Sequence, residues 1–122
     1  GMTEEKAKET NMAVMLIVSY IFSVLLAFAV SQIVNHQSGL FSLFGGVDTD
    51  PLFKEVMEAK GTAFRTFKHG AFHGLITSIA IVLPILGTNA MFEQKGWKYI
   101  WINVGYWAIT LILMGGLICA WI

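Results

Sequence analysis

The sequence predicts an all-α integral-membrane protein, with three transmembrane helices and a short amphipathic helix at the interface. Two charge-free runs carry that class. Residues 71–92 and residues 99–122 contain no Asp, Glu, Lys or Arg, and each exceeds the run of about 18 apolar residues that marks a membrane span. About 20 residues rising 1.5 Å each cross the hydrocarbon. Composition is the third observation: 56% of the chain is hydrophobic and 13% charged, against about 25% charged in ordinary soluble domains.

A formal net charge of zero removes any electrostatic case for nucleic acid or an acidic partner. The single cysteine, Cys119, excludes an internal disulfide and a multi-cysteine zinc site. It reads as a small apolar residue facing lipid or a neighbouring helix. No repeat or second domain is visible, so residues 1–122 form a single transmembrane domain.

In chain order, residues 1–11 are polar and of mixed charge. Thr3 is followed three residues later by Lys6, which makes no capping box, and the segment is expected to extend the first helix outward. The first span covers about residues 10–35, and its apolar run from Met12 to Val34 is interrupted only by Ser19, Tyr20, Ser23, Ser31 and Gln32. Ala27-Phe28-Ala29 is similar to a signal-peptide cleavage site, but the preceding segment carries Glu4, Glu5 and Glu9 instead of a basic excess. It is therefore read as a retained helix.

Residues 35–68 are the only sizeable extramembrane piece. Gly39, Gly45, Gly46 and Asp48 mark turns. Asp50-Pro51 has the form of an N-cap followed by proline at the first helical position. Leu52, Phe53, Val56 and Met57 then fall on one helical face, Lys54, Glu55 and Glu58 on the other, and Gly61 closes the segment. Such a helix lies in the interface against headgroups or the bundle end, or packs on a partner subunit.

The second span, residues 67–92, carries Pro84 in its middle. Proline cannot donate to the carbonyl of Ala80, so a bend or a local break in helical bonding is expected there. Thr77 and Ser78 stand ready to satisfy local backbone groups. The third span, residues 98–121, contains Gly105, Gly115 and Gly116. Phe92, Trp97, Tyr99 and Trp101 form an aromatic belt at one boundary, and Phe64, Phe67, Phe72 and Trp121 one at the other. Orientation is undecided by charge: Lys6, Lys8, Lys95 and Lys98 on one side balance Lys54, Lys60, Arg65 and Lys68 on the other.

Two polar constellations stand out. In HGAFHG, His69 and His73 are four apart and project from one helix face, a spacing that lets two imidazoles share a metal. His36 follows the first span and emerges on the same membrane side, so three histidines could form an open three-ligand site. Interfacial histidines more often bond headgroups, water or loop carbonyls, and no metal and no cofactor is assigned here. Gly70 and Gly74 make a GxxxG on the adjacent face and, with Gly115 and Gly116, are the small residues expected at helix contacts. The second constellation is Asn89, Glu93, Asn103 and Tyr106. Folding the hairpin about Lys95-Gly96 puts both amides at similar depth, where they are expected to point inward toward each other or toward Tyr106 as structural glue. A permeation path is the functional alternative. Glu93 lies about 36 Å along the helix from His69 by the rise per residue, too far to complete the histidine site. No nucleophile–base pair, phosphate-binding glycine loop or carboxylate pair appears at a useful spacing, so no catalytic residue is assigned.

The segment HGAFHGLITSIAIVLPILGTNAMFEQKGWKYIWINVGYWAITLILMGG resembles the C-terminal half of a family of small uncharacterised bacterial integral-membrane proteins, a domain of unknown function. The shared features are an HGxxHG-like helix start, a mid-helix proline, an Asn-x-x-Phe-Glu turn and an Asn-x-Gly-Tyr-Trp helix. Residues 1–5 followed by Asn11-Met12-Ala13 resemble the segment before that family's second helix. The family usually has a further hydrophobic helix upstream, absent here. The resemblance implies a multi-pass helical bundle in the bacterial inner (cytoplasmic) membrane and supplies no catalytic residue. A more basic turn in family members leans residues 92–98 toward the cytoplasm.

The function expected from these readings is a non-enzymatic structural or accessory subunit, packed in a homo-oligomer or a larger membrane complex. Its partners are the lipid bilayer and itself or other membrane subunits, and no nucleic acid. The alternative is a small oligomeric transporter or channel with a polar path near Asn89 and Asn103, beside Pro84. A metal-dependent redox or hydrolytic site at the histidines is a third, weaker class.

Overall fold

A computed structural model describes residues 11–121. The expected outward extension of the first helix, with Lys6 and Lys8, lies outside them. The described chain is helical, without a strand, and three of its helices are long and apolar enough to cross a membrane: Met12–Val34, Phe67–Phe92 and Trp97–Ala120.

Asn11 opens helix α1 (Met12–Val34), its side-chain oxygen accepting the Val14 N–H at 3.2 Å. The helix stops at Asn35, whose backbone is extended. A second helix, α2 (His36–Leu43), starts at once, with Gly39 inside it and not in a turn. Its end explains the glycines that follow. Gly45 takes φ +73°, Gly46 N–H bonds Phe41 O and Gly45 N–H bonds Ser42 O, each at 3.0 Å. That is the left-handed helix stop for which glycine is the cheapest residue.

Helix α3 (Pro51–Lys60) begins as its Asp50-Pro51 signal requires, with the Asp50 carboxylate accepting the Leu52 N–H at 2.8 Å. Its apolar face meets α2 of the same chain. Phe53 is buried, with Phe41 and Phe44 at ring centroids of 5.8 and 5.6 Å. The Gln37 amide ties the two helices further, donating to Lys60 O and Ala63 O at 2.9 Å each.

The second span is not one regular helix. Helix α4 (Phe67–Thr77) runs into a π-helical turn, Ser78–Val82, before α5 (Leu83–Phe92). Leu83 N–H bonds Ser78 O, five residues back. Pro84 has no N–H to offer Ala80 and its ring crowds that carbonyl, so widening the preceding turn relieves the conflict without unwinding the span. The Thr77 and Ser78 hydroxyls donate to His73 O and Gly74 O at 2.8 and 2.9 Å, on the α4 side of the defect. The hairpin to α6 (Trp97–Ala120) is a second left-handed stop, here with Gln94 at φ +60°. Lys95 N–H bonds Ala90 O at 2.8 Å, and its ammonium lies 5.5 Å over the Tyr99 ring.

Helices α4 and α6 touch backbone to backbone. A Cβ placed on Gly70 would land on the carbonyl of Gly115 and on Cys119, and one on Gly74 on the carbonyl of Leu111; one on Gly116 would strike the Phe67 ring. Helix α1 seats only its last turns, through Val30 and Val34, against Leu111 and Cys119. Its residues 12–25 are all exposed. A separate cluster of Ala90, Ile100 and Val104 fills the hairpin near its turn. At the opposite end Arg65 clamps the last turn of α6: Nε donates to Cys119 O at 2.6 Å, and the guanidinium also reaches Ile118 O and Trp121 O. A cation there answers the orphan carbonyls and the negative end of the helix dipole.

Three substitutions check this packing. Gly74→Ala adds a methyl where α6 backbone stands, and should destabilise the hairpin by about 1–3 kcal/mol, the usual cost of overpacking. Gly105→Ala, with open space around its built Cβ, should be neutral or stabilising, by up to about 1 kcal/mol of helix propensity. Arg65→Met should cost about 1.5–3 kcal/mol, the range for hydrogen bonds to a charged group. Equilibrium unfolding in mixed micelles measures all three.

Candidate functional site

The three histidines converge at the Arg65 end of the bundle. His69 and His73 stand one turn apart on α4, and their Nε2 atoms are 3.0 Å apart. His36, at the first position of α2, brings its Nε2 to 2.8 Å from that of His69. Among the described residues this is the one group of three or more His, Cys, Asp or Glu side chains whose candidate ligand atoms gather, all within 4.8 Å of one another. His36 is exposed, while His69 and His73 are half-buried. Within this group the Nε2 contacts run from ring to ring and not to loop carbonyls.

Each ring is aimed by local structure. Thr66 caps α4, its Oγ1 accepting the His69 N–H at 3.2 Å. Gly70 and Gly74 press on α6, which fixes how α4 is rotated about its axis. Residues 69 and 73, about 100° behind each glycine on the helical wheel, must then face α1 and α2. Val34 anchors the end of α1 beside Gly115, and the corner at Asn35 swings His36 over α4. Phe64 closes the cluster with its ring 5.1 Å from both His36 and His69. It does so from a left-handed backbone, φ +62°, unusual for a bulky side chain. Its carbonyl accepts from the Cys119 thiol at 3.1 Å, so the fully buried Cys119 supports the loop from within.

Two cavities flank the cluster. One of about 440 Å³ is lined by Phe64, Thr66, Lys68, His69 and Phe72. The other, about 210 Å³, lies between His36, Gln37, Val56 and Phe64. The cluster is therefore open on two sides.

The second constellation is not assembled. Asn103 donates to Tyr99 O of its own helix at 2.8 Å, Asn89 is exposed, and Glu93 sits exposed just past the end of α5. Tyr106 is exposed as well, with its ring edge-on to Trp107 at 5.3 Å. The expected inward meeting of the two amides is corrected here. An asparagine four residues past a carbonyl can satisfy its N–H group on its own helix, so apolar surroundings do not compel a partner across the hairpin. Arg65, Thr66 and Phe64 are the site-building residues that the sequence reading missed. The visible signal was Arg65, a cation beside a span with no acid near it in sequence.

Comparison with known proteins finds a family described as protein of unknown function (DUF1761), matching residues 1–119. No curated protein and no solved structure matches the chain.

Since the Asn103 amide is satisfied within α6, Asn103→Leu should change hairpin stability by less than about 0.6 kcal/mol, the mean for a polar contact between membrane helices. A loss above about 1.5 kcal/mol in micelle unfolding would require an interhelical bond.

Proposed function

The chain belongs to the DUF1761 family, a family of unknown function, and we propose that it is a non-enzymatic subunit of the bacterial inner membrane. It works by assembling, as a homo-oligomer or within a larger membrane complex. The observation that carries this reading is the stance of α1. Its residues 12–25 are all exposed, while α4 and α6 are closed onto each other's backbone. Where α1 stands off, Ser19, Phe22, Ser23 and Leu26 face Tyr106 and Trp107 across a gap of about 450 Å³. On the other side of Trp107, Leu26, Ile81, Ile85 and Leu111 line a further apolar gap of about 290 Å³. Membrane helices associate through close packing and not through escape from water, so a wedge of this kind forgoes the contacts that hold spans together. A helix from a neighbouring subunit supplies them, and two serines one turn apart allow it near approach.

An oligomeric transporter or channel is the second reading. It draws on the exposed Asn89 amide on the outer side of the hairpin, which a neighbouring copy would enclose.

Co-expression of two differently tagged copies, extraction in mild detergent and native mass spectrometry test the assembly. The expected species is larger than the 13.5 kDa chain. Ser23→Trp, which fills the wedge from inside, should weaken association about tenfold, the equivalent of about 1.4 kcal/mol. A protein that stays monomeric and carries no membrane partner at any detergent ratio would sink the proposal. Solute flux in proteoliposomes that disappears in Asn89→Leu would favour the channel reading over the accessory one.

A further inference from the structure

We propose that His36, His69 and His73 form a binding site for one divalent transition cation of the zinc class. The geometry is near what such an ion requires. At Zn–N distances of about 2.0–2.1 Å, a tetrahedral site has N···N edges of about 3.3–3.4 Å. The Nε2 separations are 2.8 Å for His36–His69 and 3.0 Å for His69–His73, with all three ligand atoms within 4.8 Å. Lengthening the two short edges by about 0.3–0.6 Å, and bringing His36 and His73 from within 4.8 Å to the same separation, meets that figure.

Hydrogen bonding among the rings alone leaves the cluster short. Nε2 of His69 stands within bonding distance of both neighbours, yet it carries either one proton or one lone pair. It can complete one of the two contacts well, not both. A cation at the centre takes all three lone pairs at once, and each ring keeps its proton on Nδ1.

The donor set chooses the class of ion. Three imidazoles with no carboxylate, thiolate or further histidine in the group suit zinc, cobalt, nickel or copper. Magnesium and calcium, which demand oxygen ligands, are disfavoured. Three protein ligands leave a fourth position for water on the side of the exposed His36. The ligands also come from separate parts of the chain. His36 follows α1 through the Asn35 corner, and His69 and His73 belong to the hairpin, so the ion staples the weakly seated α1 to α4. The Phe64 ring, 5.1 Å from two of the rings, packs against that staple.

The test uses the full chain without a polyhistidine tag, purified in mild detergent and stripped with a chelator. It is then dialysed against Zn²⁺ or Co²⁺ and assayed by elemental analysis. One Zn²⁺ per chain is expected, with a rise in Tm on Zn²⁺ addition and, for Co²⁺, the visible absorption of a tetrahedral nitrogen-ligated ion. H36Q, H69Q and H73Q should each lower Zn²⁺ affinity by more than about 100-fold, beyond what loss of an outer-shell partner does. D48N, remote from the cluster in sequence, should leave it unchanged. H36Q is decisive, since His36 is exposed and its loss leaves the hairpin packing intact. Zn²⁺ binding retained at full affinity in folded H36Q, equal competition by Mg²⁺, or a folded wild-type chain that takes up no Zn²⁺ would each overturn the site.

Discussion

The rest of the molecule depends on the backbone contact between α4 and α6. Gly70 and Gly74 have no Cβ, so the carbonyls of Leu111 and Gly115 can occupy that space. Lipid offers no hydrophobic reward for pairing two apolar helices, and close approach is what remains to hold them. The contact also sets rotation. Once the glycine face of α4 is committed to α6, the histidine face has only one direction to look.

One end of the bundle inherits the polar structure that this packing permits. The C-terminal turn of α6 arrives beside the loop before α4, and Arg65 meets its carbonyls. Cys119 arrives with it and bonds the Phe64 carbonyl. Phe64, held in a left-handed conformation, covers His36 and His69. A chain of short contacts thus runs from the glycine seam through Cys119 and Phe64 to the histidine rings. The α2–α3 pair caps the same end, locked by Phe53 under two aromatic rings and by the Gln37 amide.

The other end is simpler. Beyond the π-helical turn, α5 and α6 pack by ordinary apolar contact around Ala90, Ile100 and Val104. The turn lets one span serve two purposes: it carries Pro84 without unwinding, and it separates the histidine-bearing segment from the one that packs at the hairpin turn. Helix α1 joins only at the polar end, which leaves most of its length for lipid or for another subunit.

Much of this was determined by sequence alone. Charge-free runs longer than the hydrocarbon is thick leave no option but spanning helices, and the boundaries at residues 34, 67, 92 and 97 follow from where charge or helix-stopping residues return. Asp50-Pro51 set the start of α3, and Pro84 marked the site of the helical defect, because capping and a missing N–H act within one turn of chain. What the sequence left open required contacts between distant residues. The helix at residues 36–43 was obscured by Gly39, whose low propensity is overridden by packing on α3. Asn103 had a partner four residues away and one across the hairpin, and only geometry chose the near one. The meeting of His36 with His69 spans 33 residues of chain. It depends on the corner at Asn35 and on the rotation of α4 against α6, which local pattern does not encode.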